Sequence, residues 1–251
     1  MKKLIFSLLV ASAATNLWAQ DPLLFEKPAF EEGIDSRIPL IEEPAPSFVA
    51  QSTEGEIKFP DDYGKHWKIL FSHPQDFTPV CTTELLELAG IQDKFDNLDV
   101  KIIALSTDPL STHEQWKKAM EDLSVKNKKP VKINFPLVED ESLTVSRKYG
   151  MIHSETNSPK NVRGVFVIDP DNIIQAIYFY PNAVGRNTDE LLRMVTALEK
   201  TRSENVMTPA NWKAGDDVLV RSIPKTGATE EELASQGLYA LDWFLWYKKS
   251  N

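Results

Sequence analysis

A single thiol, Cys81, stands in a chain of 251 residues. With no second cysteine, it can neither close an intramolecular disulfide nor join a four-cysteine zinc site. What it can do alone is act as a nucleophile, and the thiolate is the reactive form. It lies in Phe71-Ser72-His73-Pro74-Gln75-Asp76-Phe77-Thr78-Pro79-Val80-Cys81-Thr82-Thr83-Glu84. Thr78 suits a helix N-cap and Pro79 suits the first helical position. Cys81 is therefore expected in the first turn of a helix, where unpaired backbone N–H groups and the helix dipole favour an anion. Read locally, the same residue could equally be a small buried hydrophobe. Glu84 lies one helical turn further on and reads as a solvated acid as readily as a site residue. Arg163 reads, on its own, as an ordinary ion-pairing arginine. His66, His73, His113 and His153 show no paired ligand spacing and there is no His-Glu-x-x-His, so no metal site is expected.

The elements that must position Cys81 follow from hydrophobic periodicity. Ile69-Leu70-Phe71 reads as a short buried strand, and residues 79–97 as one helix with Leu85, Leu88, Ile91 and Phe95 on its inner face. Val100–Leu105 reads as a second buried strand. Ser111 with Glu114 suggests a capping box for a helix that buries Trp116, Ala119, Met120 and Leu123. Val165–Ile168, a turn at Asp169-Pro170-Asp171-Asn172, and Ile173–Tyr180 read as two joined strands. Asn187 and Glu190 cap a further helix with Leu191, Val195 and Leu198 inward. This alternation predicts a three-layer α/β/α domain with a mixed central sheet. After residue 203 come strands or loops over Met207–Val220. A short helix capped by Thr229 and Glu232 follows, with Gly237 at its end, and then an aromatic tail over Leu238–Tyr247. That tail is expected to pack on the chain's own body or on a second subunit. Lys126–Lys129 reads as a solvated loop.

Composition narrows the class further. A hydrophobic fraction of 42% excludes a disordered chain, and a net charge of −9 argues against a phosphate-backbone partner. Residues 1–19 have the form of a secretory signal, with Lys2 and Lys3 before an apolar stretch from Leu4 to Ala14 and the small Ala19 before Gln20. Such a stretch is too short for a comfortable transmembrane span, so no stable membrane insertion is expected. Cleavage near Ala19 removes two lysines and no acid, which takes the formal charge from −9 to −11. A periplasmic or secreted location follows. Residues 20–37 read as a leader, 38–202 as the main domain, 203–225 as a C-terminal extension and 226–251 as the tail.

The spacing Pro-x-x-x-Thr-x-x-Cys, here Pro74, Thr78 and Cys81, resembles the peroxidatic loop of peroxiredoxins. The longer string from Ser72 to Leu85 is similar to the one-cysteine subfamily. Three further stretches match it in order: Asn161–Pro170, Tyr180–Asn187, and Thr208–Asp216. The resemblance spans residues 38–223 and implies a thioredoxin-like fold, a homodimer with 203–225 as the dimer arm, and no cofactor. It implies that Cys81 attacks hydrogen peroxide or an alkyl hydroperoxide and becomes a sulfenic acid. An external thiol must then reduce it. Arg163 would stabilise thiolate and peroxide, the Thr78 hydroxyl would bond sulfur and peroxide, and Pro74 would exclude water. Glu84 would orient the arginines, Arg186 would buttress the pocket, and His73 would be a structural or a proton-handling group. Rival readings fit less well. A disulfide exchanger needs a second thiol where Thr78 stands. The phospholipase of some relatives needs a serine where His66 stands and a histidine where Pro60 stands. A chaperone-like scaffold is the non-enzymatic alternative.

Overall fold

The computed structural model describes residues 37–123, 130–153, 160–224 and 228–250. The signal segment, nearly all of the leader and the Lys126–Lys129 loop lie outside the described residues. In chain order the elements are β1 (Phe48–Ser52), β2 (Gly55–Phe59), a 3-10 turn (Asp61–Tyr63), β3 (Trp67–Ser72), α1 (Pro79–Gly90), α2 (Gln92–Asp96), β4 (Val100–Ser106), α3 (Leu110–Glu121) and β5 (Leu137–Glu139). There follow α4 (Thr144–Lys148), β6 (Arg163–Ile168), β7 (Ile174–Tyr180), α5 (Thr188–Ser203), β8 (Val206–Met207), β9 (Val218–Val220), α6 (Glu230–Ser235), β10 (Leu238–Asp242) and β11 (Leu245–Lys248).

Seven strands form one mixed sheet in the order β2-β1-β5-β4-β3-β6-β7. β3, β4 and β5 are parallel, and β6 runs antiparallel to β3. β3 lies inside the sheet between β4 and β6, and all six of its residues are buried, as a strand covered on both faces must be. On one face Phe71, Ile69, Ala104 and Val165 pack against Leu85 and Leu88 of α1, Phe95 of α2, Trp116 of α3, and Leu191 and Val195 of α5. On the other, Leu70, Ile103 and Phe166 pack with Val145 and Tyr149. This is the three-layer arrangement with a mixed sheet expected from the alternation of strands and helices, and it agrees with the thioredoxin-like fold that the resemblance implies.

Three local expectations are corrected. The helix expected over 79–97 is two helices, broken at Ile91 (φ −126°, ψ 12°) just after Gly90. Glycine is a poor helix former, and the break re-aims α2 so that Phe95 is fully buried. The α3 helix has no Ser111 capping box. Pro109 is its N-cap residue, with no side-chain cap bond, and the Leu110 N–H is met by the Glu139 carboxylate at 2.9 Å. Its buried face holds His113, Trp116 and Met120, while Ala119 and Leu123 are exposed. The Asn187 cap and the Thr229–Glu232 capping box do form.

The C-terminal segment builds a second sheet in the order β10-β11-β9-β8, tied to α5 by a small core of Ala197, Val206, Trp212 and Val218. The aromatic tail divides. Tyr239 stacks on Tyr247 at 5.3 Å, whereas Trp243 and Phe244 at the hairpin tip are 75% and 59% exposed. At the start of β3, the buried Lys68 donates to the Gly64 carbonyl at 2.8 Å and to Asn172 Oδ1 at 2.5 Å. Burial pushes its ammonium below the ordinary lysine value, against the pull of Asp169.

Gly150 closes α4 at φ +61°, and a Cβ there would lie 2.4 Å from Ile38 Cγ1 and 2.9 Å from Ile38 Cα. Both the backbone angle and the neighbour forbid a side chain. Gly150→Ala is expected to cost about 2–4 kcal/mol in a urea titration. A loss under about 0.5 kcal/mol, the range of an ordinary surface change, would show the contact to be dispensable.

Candidate active site

Cys81 sits in the first turn of α1, at the carboxyl end of β3, with its side chain fully buried. Thr78 is the N-cap residue in extended backbone and Pro79 opens the helix. The Thr78 hydroxyl does not cap the helix, nor does it form the expected bond to sulfur. It donates to the Gln75 carbonyl at 2.7 Å. Gln75 is within reach because Phe77 takes a left-handed turn (φ +55°) that doubles the chain back. Pro74 is buried in the same loop.

Arg163, the first residue of β6, donates from Nη1 to Sγ at 3.3 Å. The same nitrogen donates to Glu84 Oε2 at 2.7 Å. Nε and Nη2 both donate to the Asn182 carbonyl, at 3.0 and 2.7 Å. Glu84 also receives Arg186, which donates to Oε1 from its backbone N–H and Nε and to Oε2 from Nη2. The remaining Arg186 nitrogen, Nη1, donates to the carbonyls of Ser72 at 2.7 Å and Gly164 at 2.9 Å. The guanidinium lies over the Phe71 ring, 3.3 Å from its centroid.

Glu84, Arg163 and Arg186 are all buried. Burial raises the Glu84 carboxyl, but the hydrogen bonds and charge of Arg186, with Arg163 behind it, outweigh that and hold it below the ordinary value. Burial lowers Arg186 in turn, against Glu84. Two guanidinium groups share one carboxylate, so the pocket carries one surplus positive charge beside Sγ.

His73 is fully buried but does not bond the sulfur. Its Nε2 lies 2.8 Å from Asp76 Oδ1, and its ring packs on Trp116. Asp76 Oδ2 meets His113 Nδ1 at 2.6 Å, and His113 Nε2 meets the Val138 carbonyl at 3.1 Å. Asp76 and His113 were not singled out as site residues from sequence. The triad has the donor types of a two-histidine, one-carboxylate metal site, a grouping that the sequence spacing had hidden. Its N···O separations are hydrogen-bond lengths, however. Ligands bonded to a zinc ion at ~2.0–2.1 Å lie ~3.3 Å apart. The three groups are thus a hydrogen-bonded unit. Burial raises the Asp76 carboxyl, but bonds from both histidines hold it below its ordinary value.

A buried helix-N-terminal cysteine under an arginine, on a thioredoxin-like sheet, defines a thiol-redox protein. The AhpC/TSA family signature matches residues 41–177, and that of the C-terminal domain of 1-Cys peroxiredoxin matches 197–233. A peroxiredoxin of Methanosarcina mazei is 44% identical over 215 residues, covering 84% of this chain and 98% of that protein. The mitochondrial peroxiredoxin PRX1 of Saccharomyces cerevisiae is 39% identical over 235 residues, covering 91% and 86%. Among solved structures, a yeast mitochondrial 1-Cys peroxiredoxin matches with a TM-score of 0.72 at 37% identity, over 85% of this chain and 100% of that one. Peroxiredoxin 6 of Arenicola marina matches with a TM-score of 0.72 at 34% identity, over 84% and 98%. The chain belongs to the peroxiredoxin family, in its 1-Cys branch, and is a thiol peroxidase. The scaffold alternative is not favoured.

The pH dependence of stability follows from His73. Burial is the larger influence and lowers it from an ordinary 6.5, against the opposing pull of Asp76. Below about pH 6.5 the unfolded chain binds a proton that the folded ring refuses, so stability falls as pH drops. The slope approaches ~1.4 kcal/mol per pH unit for this one group. Thermal melts between pH 6.5 and 5 should show the fall, and His73→Phe should flatten it. An equal slope in both proteins would assign it elsewhere.

Proposed function

We propose that Cys81 is the peroxidatic nucleophile and that Arg163 is the group that activates the reacting oxygens. The Arg163 Nη1 contact to Sγ, in a buried pocket with one surplus positive charge, carries this reading. The thiolate attacks the terminal peroxide oxygen, an S–O bond forms as the O–O bond breaks, and the departing oxygen takes a proton and leaves as water or alcohol. The product is a sulfenic acid. The guanidinium fork offers donors to sulfur and to the departing oxygen together. Glu84 fixes that fork from below, and Arg186 fixes Glu84. The Thr78 hydroxyl, its hydrogen given to Gln75, acts through its lone pairs as an acceptor for the hydroperoxide O–H. Buried Pro74 adds no N–H to compete and keeps water out.

The sulfenic acid has no partner thiol in the chain. A small external thiol condenses with it, releasing water and forming a mixed disulfide, and a second thiol restores Cys81. Stopped-flow mixing of the reduced protein with hydrogen peroxide should give a rapid single turnover. Cys81→Ser should abolish it and Arg163→Ala should slow it by ~10²-fold, about 2.7 kcal/mol of transition-state stabilisation. Mass spectrometry after excess peroxide should find sulfinic acid on Cys81. A wild-type rate no faster than that of free cysteine would remove the assignment.

The same reading includes a periplasmic homodimer. The signal-like pattern of residues 1–19 and the single unpaired thiol support export. Support for assembly comes from the family extension, and from β7, which ends the main sheet with no partner strand beyond Ile174 among the described residues. The periplasmic fraction of a bacterial host should hold protein that begins at Gln20 and sediments as two chains. Retention in the cytoplasm or a single-chain mass would overturn the corresponding half.

A further inference from the structure

The reaction as described uses Cys81, Arg163, Glu84, Arg186, Thr78 and Pro74. It leaves unused a fully buried group on the other side of the peroxidatic loop: His73, Asp76 and His113, each under 4% exposed. Counting hydrogens shows what this group needs. The Val138 carbonyl can only accept, so His113 Nε2 carries a hydrogen. The contact of Asp76 Oδ1 with His73 Nε2 needs a second hydrogen, and that of Asp76 Oδ2 with His113 Nδ1 needs a third. Two neutral imidazoles and a carboxylate supply two. One more proton is therefore held between Asp76 and His113, and it also cancels the buried carboxylate charge.

Asp76 is pinned through its main chain as well. Its backbone N–H donates to Asp108 Oδ2 at 2.8 Å, and Asp108 is held by Ser106 Oγ and by Lys160. The next residue is Phe77, in the left-handed region that non-glycine residues rarely adopt. That turn delivers Thr78 to the N-cap and so sets where α1, and Cys81 with it, begins. A turn with an intrinsic cost persists only where its neighbours over-determine it. Here the neighbours come from three separate elements: the end of β3, the β4–α3 connection and α3 itself.

We propose that His113, which makes no hydrogen bond to Cys81 among the described residues, is a positioning residue for the peroxide reaction. It clamps Asp76, and through Asp76 it holds the Phe77 turn that places Thr78 and Cys81. This rests on Cys81 being the peroxidatic thiol.

The proton count supplies a discriminating variant. In Asp76→Asn the amide oxygen accepts from His73 and the amide N–H donates to the bare Nδ1 of His113. All three contacts then close without the extra proton. Asp76→Ala and His113→Leu leave them open. Stopped-flow reaction with hydrogen peroxide and hydrogen exchange on peptides covering residues 73–84 should be measured in all four proteins, with urea midpoints as a control. Misplacement of reacting groups costs ~10²-fold, and that loss is expected for Asp76→Ala and His113→Leu, with faster exchange in residues 76–81. Asp76→Asn should recover the rate to within about 5-fold, and wild-type protection with it. If His113→Leu does not fold, the Asp76 pair decides the matter. Two results would overturn the proposal: Asp76→Asn as slow as Asp76→Ala, or folded His113→Leu with wild-type rate and exchange. A slow wild-type reaction with exchange still opened by Asp76→Ala and closed by Asp76→Asn would instead strike at the peroxidase role of Cys81 and leave the clamp standing.

Discussion

The carboxylate of Glu84 is the point on which the active site hangs. It lies buried between two guanidinium groups that come from separate parts of the chain, Arg163 at the start of β6 and Arg186 in the turn before α5. Arg186 extends the network to the carbonyls of Ser72 and Gly164. One side chain on α1 thus fastens the helix that carries the thiol to β3, β6 and the approach to α5. Removing one partner from a buried ionic group is costly, about 3–5 kcal/mol, because the others are left uncompensated. Glu84 is therefore a structural requirement and an electrostatic one at once. It cannot neutralise both arginines, and the remainder falls at the sulfur.

This changes the weight given to the residues. From sequence, Glu84 had only its spacing of three from Cys81, and its helical position suited a solvated acid equally well. Its importance lies in what crosses to it from residues about 80 and 100 positions away. Pro74, Thr78, Cys81 and Arg163 were legible because they sit in short strings whose spacing is itself distinctive. Four of the seven strands, β3, β4, β6 and β7, were legible because they are largely apolar runs; β1 and β2, which alternate buried and exposed residues, and the three-residue β5 were not. Asp76 and His113 were not legible. One looks like a turn acid and the other like a polar residue on an amphipathic helix. Only the parallel pairing of β3 with β4 brings their elements together.

The misread helix boundaries share that cause. Ser111 and Glu114 have the right spacing for a local cap. Pro109 sets the start earlier, and a carboxylate from β5 meets the first N–H. The break at Ile91 serves the burial of Phe95, a tertiary demand with no local signature beyond Gly90. In the tail, aromatic density signalled packing in general. It could not show that the hairpin would stack its two half-exposed tyrosines and leave Trp243 and Phe244 at the turn.

The shared Nη1 of Arg163, given to Sγ and to Glu84 Oε2 together, ties the oxidation state of one atom to the charge balance of the interior. A thiolate cancels the pocket's surplus cation. A neutral sulfenic acid does not, so the cluster is out of balance at the one stage of the cycle that must be short-lived. A sulfinate restores the negative charge and with it the match. The pocket's charge is thus matched by the thiolate and by the sulfinate, and unmatched at the sulfenic rung between them. Speed of reduction, rather than stability of the intermediate, then decides which way the sulfur leaves that rung.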